Sequence, residues 1–405
     1  MRHLLAASLL LTACQTGDNE TPDAGAAPVA DVGQAEAGNS APDAGPEDAG
    51  MIVDAGPVVV DAGPPPDTPE GRGEALYTIY CGFCHGDSGE GYIADNANAL
   101  SHPEFLATAD DAFLFGSIVE GRPGTPMSAW GEARNGPLSD EQAWDIVAYM
   151  RTWQEVPSQD VSGRVITGDL NNGGMLYTAH GCGDCHGAML QGVTAMSLNN
   201  PWFHELASDG FIEHAIAKGR VPTPMPAYED ILSEQEIADL VVYIRSFRRP
   251  VDVDPEDPGP FEPNLADHWI NEGGPRASFT PRVVEREGAE FPDEFVAAAD
   301  VYAAMEAGQS FILVDARAAS DYILSHIEGA VSVPFDTIEA AQEALSRDTW
   351  VVTYCGCPHA VSGRARRELK RAGFERVAVL DEGYYFWSDE NYPICEGRER
   401  FCAEP

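Results

Sequence analysis

The sequence predicts a multidomain chain: two all-α units in tandem, followed by an α/β unit built on a parallel sheet. Three observations predict it. The pentapeptide Cys81-Gly-Phe-Cys-His85 returns as Cys182-Gly-Asp-Cys-His186. The surroundings of the two copies repeat each other over roughly 71–157 and 165–250. From about residue 291, apolar strand-like runs alternate with helix-like patterns.

The chain opens with Met1-Arg2-His3 and an apolar run, Leu4 to Leu11, too short to span a bilayer as a stable helix. The run ends in Leu11-Thr12-Ala13-Cys14, which resembles a bacterial lipobox. Residues 1–13 are then a removed signal and Cys14 is the lipidated first residue. An ordinary signal peptide cleaved at small residues is the alternative, and either exports the protein. Residues 14–70 follow. From residue 15 they hold no Lys, Arg or aromatic side chain and repeat Asp-Ala-Gly at Asp23, Asp43, Asp48, Asp54 and Asp61. Such a stretch cannot bury enough apolar surface to offset its chain entropy, so it reads as a disordered, self-repelling acidic tether. The Asp repeats lack the glycine and glutamate placement of a calcium loop.

The formal charge of the whole chain is −42, with Lys218 and Lys370 as its two lysines. That argues against nucleic-acid binding, which wants a basic face, and suits steering toward a basic redox partner.

Cys-x-x-Cys-His is the signature of covalent c-type haem attachment: two thiols add to the haem vinyl groups and the adjacent histidine is placed to ligate the iron. Cys81, Cys84 and His85 form the first set, and Cys182, Cys185 and His186 the second. Leu76-Tyr77-Thr78 recurs as Leu176-Tyr177-Thr178 and Pro103-Glu-Phe105 as Pro201-Trp-Phe203. Gly121-Arg-Pro-Gly-Thr-Pro-Met127 recurs as Gly219-Arg-Val-Pro-Thr-Pro-Met225. Phe105 to Met127 and Phe203 to Met225 both span 22 positions. Each copy closes on a helical pattern, Leu138 to Trp153 and Leu232 to Phe247. Ser139 with Gln142 and Ser233 with Glu236 have capping-box spacing.

The repeat resembles a tandem pair of class I c-type cytochrome domains. The resemblance implies two covalently bound haem c groups, with Met127 and Met225 as the second axial ligands. A soft thioether suits reduced iron, and His/Met ligation raises the potential. With both axial positions filled, electron transfer is favoured over catalysis at the haem. Attachment of c-type haem on the far side of the bacterial inner membrane agrees with export. Arg122 and Arg220 also repeat and read either as partners of haem propionates or as surface loop residues. Tyr149 and Tyr243 read as packing residues of the closing helices. Met150 and Met175 read as core fillers. Met189 and Met196 lie in a variable stretch. His102, His204 and His214 lack matching histidines in the other copy and read as ordinary surface or core residues.

Residues 251–290 read as a linker, acidic and Pro-rich at first and ambiguous from 265. In the stretch 291–398, Phe311 to Val314 reads as a strand ending in Asp315-Ala-Arg317, followed by Ser325-His-Ile-Glu-Gly-Ala330. A helical stretch starts at Thr337, and Trp350 to Tyr354 is a strand with Cys355 at its end. Ser362 to Ala372 reads as a helix, Val377 to Leu380 as a strand, and Gly383 to Trp387 starts a last helix.

Over roughly 291–395 this resembles a rhodanese domain. That implies Cys355 as a catalytic nucleophile that accepts a sulfane sulfur as a persulfide, with loop amides and the N-terminus of the Ser362 helix stabilising the anion. The loop Cys355-Gly-Cys-Pro-His-Ala-Val361 departs from thiosulfate-using members in having no basic residue before Arg364. Thiosulfate is thereby put in doubt as donor, and polysulfide, persulfide or another sulfane-sulfur carrier stays open. Cys357 reads as a second thiol able to attack the persulfide, to pair with Cys355, or to pack. His359 tunes the thiolate or faces solvent. Four cysteines lie outside the haem and lipid sets, and pairing Cys395 with Cys402 is one of three arrangements.

The whole reads as a dihaem electron-transfer lipoprotein of the bacterial cell envelope, on the periplasmic side, with a sulfane-sulfur site that couples sulfur-compound oxidation to haem reduction. Its expected partners are redox proteins such as basic cytochromes or oxidases, a sulfane-sulfur small molecule, and a membrane held through the lipid. The alternative is an electron relay whose third unit is a non-catalytic binding module.

Overall fold

The computed structural model describes residues 67–94, 96–251, 261–285, 288–356 and 359–402. Cys14, the signal and most of the tether lie outside the described residues, as does Cys357.

The first helical unit runs α1 (Pro69–Tyr80), α2 (Gly82–His85), α3 (Pro103–Thr108), α4 (Asp111–Glu120) and α5 (Asp140–Arg151). Thr68 caps α1 by accepting from the Gly71 amide, and proline stands in the first turn, where a missing N–H costs nothing. The second unit repeats the series as α6 (Leu170–Ala179), α7 (Cys182–His186), α8 (Pro201–Leu206), α9 (Asp209–Lys218) and α10 (Glu234–Arg245). Both capping boxes form, Ser139 with Gln142 and Ser233 with Glu236. In each unit the first and last helices cross closely, α1 on α5 and α6 on α10. A Cβ on Gly73 would stand 1.9 Å from the Asp145 carbonyl oxygen, and one on Gly173 2.1 Å from that of Asp239. Only glycine fits at either crossing.

The two units clasp each other by a near-symmetric exchange. Helix α3 packs on α9 and α4 on α8. Phe113 and Phe211, equivalent in the repeat, meet with ring centroids 4.8 Å apart. His102 Nε2 donates to the Val221 carbonyl at 2.8 Å, while Asn200, its counterpart, donates to the Pro123 carbonyl at 3.0 Å. His214 adds a 2.7 Å contact to Glu104. Thus His102 and His214, read as ordinary residues, are inter-unit fasteners. Met175 is not a core filler: it is 64% exposed, because α6 turns Gly173 and Tyr177 toward α10 and Met175 away from it. Met150 is buried.

The third unit contains β1 (Arg282–Val284), β2 (Asp293–Val296), α11 (Ala298–Glu306), β3 (Ile312–Asp315), α12 (Ala319–Leu324), β4 (His326–Ile327) and β5 (Val331–Ser332). It continues with α13 (Ile338–Ala341), β6 (Val351–Tyr354), α14 (Ala360–Arg371), β7 (Val377–Leu380), α15 (Gly383–Asp389) and β8 (Ile394–Cys395). The main sheet has the order β1-β2-β7-β6-β3-β5. It is parallel except at β1, which pairs antiparallel with β2. The expected all-parallel sheet therefore becomes a mixed one. The short link from Val284 to Asp293 permits a hairpin, whereas a parallel neighbour needs a crossover. The stretch 251–290 is accordingly more than a linker. It supplies β1, and Ile270, Ala277 and Phe279 are buried in the core.

Strands β3, β6 and β7 are buried along their whole length, as central parallel strands covered on both faces are. Their side chains alternate between two cores. Leu313, Val352 and Ala378 face Trp387 and α11. Ile312, Val314, Val351 and Val377 face the other side, in a core continuous with that of the first helical unit. Cys395 and Cys402 form a disulfide that ties down the C-terminal segment.

Candidate haem centres and sulfur site

Each attachment segment is pinned the same way. The Tyr77 hydroxyl donates to the Gly86 carbonyl at 2.9 Å and that of Tyr177 to Gly187 at 2.8 Å. These bonds fix the turn directly after the histidine of each motif. His85 Nδ1 donates to the Asn98 carbonyl at 2.8 Å, and His186 Nδ1 to that of Met196 at 3.0 Å. A proton held on Nδ1 leaves Nε2 as the lone-pair nitrogen, the arrangement a metal-binding imidazole needs. Burial pushes both imidazoles below their ordinary pKa and so favours the neutral, ligating form. Met196 and Asn98 also touch, Asn98 Nδ2 to Met196 Sδ at 3.5 Å. The two histidine-supporting carbonyls thus belong to residues in contact. No motif in the sequence marked this pair.

The methionine loops superpose as a pattern. The Arg122 amide donates to the Met127 carbonyl at 2.8 Å and the Arg220 amide to the Met225 carbonyl at 2.8 Å. Gly121 and Gly219 open the loops at φ 58 and 61. A Cβ on either would fall 2.4 Å from backbone across the loop. The same chain reversal is therefore imposed twice, at equal spacing from the helices. Met127 and Met225 are half-buried.

Arg122 and Arg220 are bound through backbone carbonyls, those of Gly121 and Gly219, at 2.7 and 2.8 Å. Among the described residues no ion pair with a carboxylate reaches either one. Burial pushes each guanidinium down to about 10. A half-buried cation with no carboxylate bound to it gains from a counter-charge, and a haem propionate is a group that would supply one. The residues present thus fit haem at both centres: two thiols, one free imidazole nitrogen, a thioether loop and a half-buried arginine in each.

The third unit seats directly on the first haem unit. Phe335 is its anchor, with ring centroids 6.0 Å from Tyr80, 5.8 Å from Phe83 and 6.3 Å from Trp130. The Tyr80 hydroxyl meets Asp336 at 3.1 Å and Ser320 Oγ donates to the Ala129 carbonyl at 3.0 Å. Ser128, next to Met127, donates to Asp321 at 2.5 Å. At the centre of this contact is a cavity of about 20 Å³ lined by Phe83, Cys84, Pro126, Arg317, Asp321 and Cys355 among others. That is room for about one water-sized group. Cys84 of the first Cys-x-x-Cys-His motif and the predicted nucleophile therefore line one cleft.

Cys355 is 1% exposed, at the carboxyl end of β6. Its Sγ lies 3.1 Å from Ser362 Oγ, in the first turn of α14. Helix dipole and hydroxyl together favour a sulfur anion there. Arg317, 6% exposed, is held by Asp315 with contacts of 3.0 and 2.6 Å and covers the Tyr384 ring at 4.1 Å. His359 takes neither of its expected roles. Its Nε2 is bound to Asp381 at 2.9 and 3.1 Å, and its ring packs on Phe295.

Asp321 is the site residue that the sequence did not reveal. Burial pushes its carboxyl up to about 6 from 3.8, against the lowering pull of Arg317 and Ser128. Folding therefore takes up a proton between those values. Stability is expected to fall as pH rises through that window, by on the order of 3 kcal/mol for this group. In Asp321→Asn, which keeps an oxygen for Ser128, urea unfolding should show that pH slope flattened. An unchanged slope would remove the assignment.

With this geometry in hand, comparison with known proteins is informative by segment. The family model described as "Cytochrome C oxidase, cbb3-type, subunit III" matches residues 69–150 and 168–244. The model described as "Rhodanese-like domain" matches 297–390. Among curated proteins, an HTH-type transcriptional regulator of Mycobacterium tuberculosis is 28% identical over 106 residues, 26% of this chain and 46% of that protein. An uncharacterized protein of Synechocystis is 30% identical over 82 residues, 20% and 45% respectively. The chain thus spans less than half the length of these relatives. Among solved structures, a Kuenenia stuttgartiensis reducing HAO-like protein complex is 20% identical, covering 44% of this chain and 96% of that one at a TM-score of 0.29. A Pseudomonas aeruginosa thiosulfate sulfurtransferase is 26% identical, covering 27% and 22% at a TM-score of 0.24.

Proposed function

We propose that this chain, which joins helical cytochrome c domains to a C-terminal rhodanese-like domain, is a dihaem electron-transfer protein that draws electrons from sulfane sulfur held on Cys355. One observation carries the reading: Cys355 and Cys84 of the first attachment motif line the same small cleft. A binding module unconnected to the haems has no need of that placement.

The cavity and its walls define the chemistry. A donor R–S–S⁻ presents its terminal sulfur to the Cys355 thiolate. The Cys355 Sγ–S bond forms, the donor S–S bond breaks, and R–S⁻ departs, leaving Cys355–S–S⁻. Ser362 Oγ–H and the N-terminus of α14 hold the negative charge through the exchange. The space of about 20 Å³ fits one added sulfur rather than a sulfonate, in keeping with a loop after Cys355 that has no Arg until Arg364. Phe83, Pro126 and Tyr385 give the walls an apolar part. Joining the bound sulfur to a second thiolate makes a new S–S bond and releases two electrons; bound haem supplies one-electron acceptors for them. Cys81, Cys84, His85 and Met127 hold the first haem, and Cys182, Cys185, His186 and Met225 the second.

We also place the protein at the bacterial cell envelope, lipid-anchored at Cys14 and facing the periplasm. The Leu11-Thr-Ala-Cys14 pattern supports this. Among the described residues no helix is long and apolar enough to cross a membrane.

The test is anaerobic visible spectroscopy of the oxidised holoprotein with polysulfide, then thiosulfate. The expected result is haem reduction by polysulfide that is at least about a hundredfold slower in Cys355→Ser, the loss typical of removing a nucleophile or its activator. Mass spectrometry should find one added sulfur on Cys355. Equal reduction in both proteins would mean direct chemical reduction and would sink the coupling.

A further inference from the structure

The internal repeat allows one haem unit to be read against the other. In the first unit, the face made by Tyr80, Phe83, Pro126, Ser128 and Trp130 is covered by the rhodanese-like domain. The repeat places His180, Asp184, Pro224, Pro226 and Tyr228 at the matching positions of the second unit. The local geometry is kept: the Tyr80–Trp130 ring pair, 5.4 Å between centroids, is matched by His180–Tyr228 at 5.7 Å. Here, however, Asp184 and Pro226 are exposed where Phe83 is half-buried and Ser128 buried, while Pro224 is exposed just as Pro126 is at the rim of the covered face. Apolar side chains flank them, with Val221 64% and Ile231 60% exposed, and Asp230 is exposed at the edge.

We infer that this face of the second unit is the docking surface for a separate electron-carrying protein whose own contact face is ringed by basic residues. The substitutions name the occupant's chemistry. A second copy of the rhodanese-like domain does not fit. Pro226 has no hydroxyl to give Asp321, as Ser128 does, and Asp184 stands where Phe83 meets Phe335. What remains is a proline-edged apolar surface beside the second attachment motif with exposed carboxylates at Asp184 and Asp230, Glu229 being paired with Lys218 at 2.6 Å, on a chain of net charge −42. Such a patch selects a cationic rim by charge complementarity, which sets encounter rate and salt dependence. The first haem unit is then the face turned inward to the sulfur site, and the second is the face turned outward. The inference rests on the electron-transfer role of the haem units and not on the sulfur chemistry.

The experiment is a titration of the full-length, oxidised holoprotein with a small basic monohaem cytochrome c at low ionic strength, followed by difference spectra. Haem content is checked in every variant. Asp184→Asn with Asp230→Lys should weaken binding about tenfold and flatten its salt dependence. Glu306→Lys, on an exposed site of the rhodanese-like domain, should change it less than about twofold. Equal loss in both variants, or none in either, would overturn the docking face. So would sedimentation showing a dimer of this chain that Asp230→Lys dissociates. The polysulfide assay on the same variants separates the two readings, because reduction through Cys355 should persist in all of them.

Discussion

Replacing Arg317 by alanine is expected to destabilise the C-terminal domain by about 3–5 kcal/mol. Arg317 and Asp315 are 6% and 0% exposed and bound to each other through the guanidinium fork. Burial weakens the charge on Arg317, but the Asp315 carboxylate at its side holds it well above its ordinary range. Truncation strands the Asp315 charge in a water-free strand end, together with the Ser325 carbonyl that Arg317 also serves at 2.7 Å. Removing both charges is a different matter. The double variant Asp315→Leu, Arg317→Met should recover much of the loss, since a buried pair replaced by apolar groups of similar volume is often neutral. Urea unfolding of the three proteins by circular dichroism decides it. A single variant as stable as the parent would show that the pair is dispensable.

The second large effect is expected at the helix crossings. Gly73→Ala puts a methyl group 1.9 Å from the Asp145 carbonyl oxygen and 2.9 Å from the Tyr149 Cβ. Neither neighbour is the end of a flexible chain, so α1 and α5 must separate. Overpacking of this kind costs about 3 kcal/mol, the upper end of its usual span. Parting the helices also loosens the bidentate contact of Arg72 with Asp145, at 2.7 and 2.8 Å. The control is Gly163→Ala, where nothing lies within 4 Å of the added atom. That change should stay within about 0.5 kcal/mol. Thermal unfolding of the holoproteins checks both, and similar midpoints would mean that the crossing yields more easily than its geometry implies.

Much of this was legible in the residues because it is local and repeated. The attachment pentapeptides, the Thr-Pro-Met loops and the two capping boxes each lie within a few positions of one another, so a short window carries the whole signal. The order of strand and helix around Cys355 was legible for the same reason. The residues that line the cleft beside Cys355 from the other domain were not. Ser128 and Asp321 lie 193 positions apart, in different domains, and neither belongs to a motif. His102 gave no sign of its role because its partner is a backbone carbonyl of the other repeat, which no side-chain pattern encodes. Asn200 shows what a reader of the repeat would have needed: the matching residue differs in type yet makes the matching bond. Strand β1 escaped notice because two exposed residues and a half-buried one at a sheet edge need no apolar alternation. Met175 misled through its neighbours, Leu176 and Tyr177, which turn inward when it turns out.

The close, tilted pairing of Phe113 with Phe211 carries a cost that appears during synthesis. A growing chain exposes Phe113 for as long as it takes to add the 98 residues that separate it from Phe211. At ordinary elongation rates that is roughly 5–20 s. For this interval the first repeat is a half-finished object with a sticky aromatic patch, and its natural ligand is still unmade. A polypeptide halted between the repeats should therefore be far more prone to aggregate than either the nascent first helices or the completed pair. Where the gene is cut to study one half, the cut itself would create the insolubility.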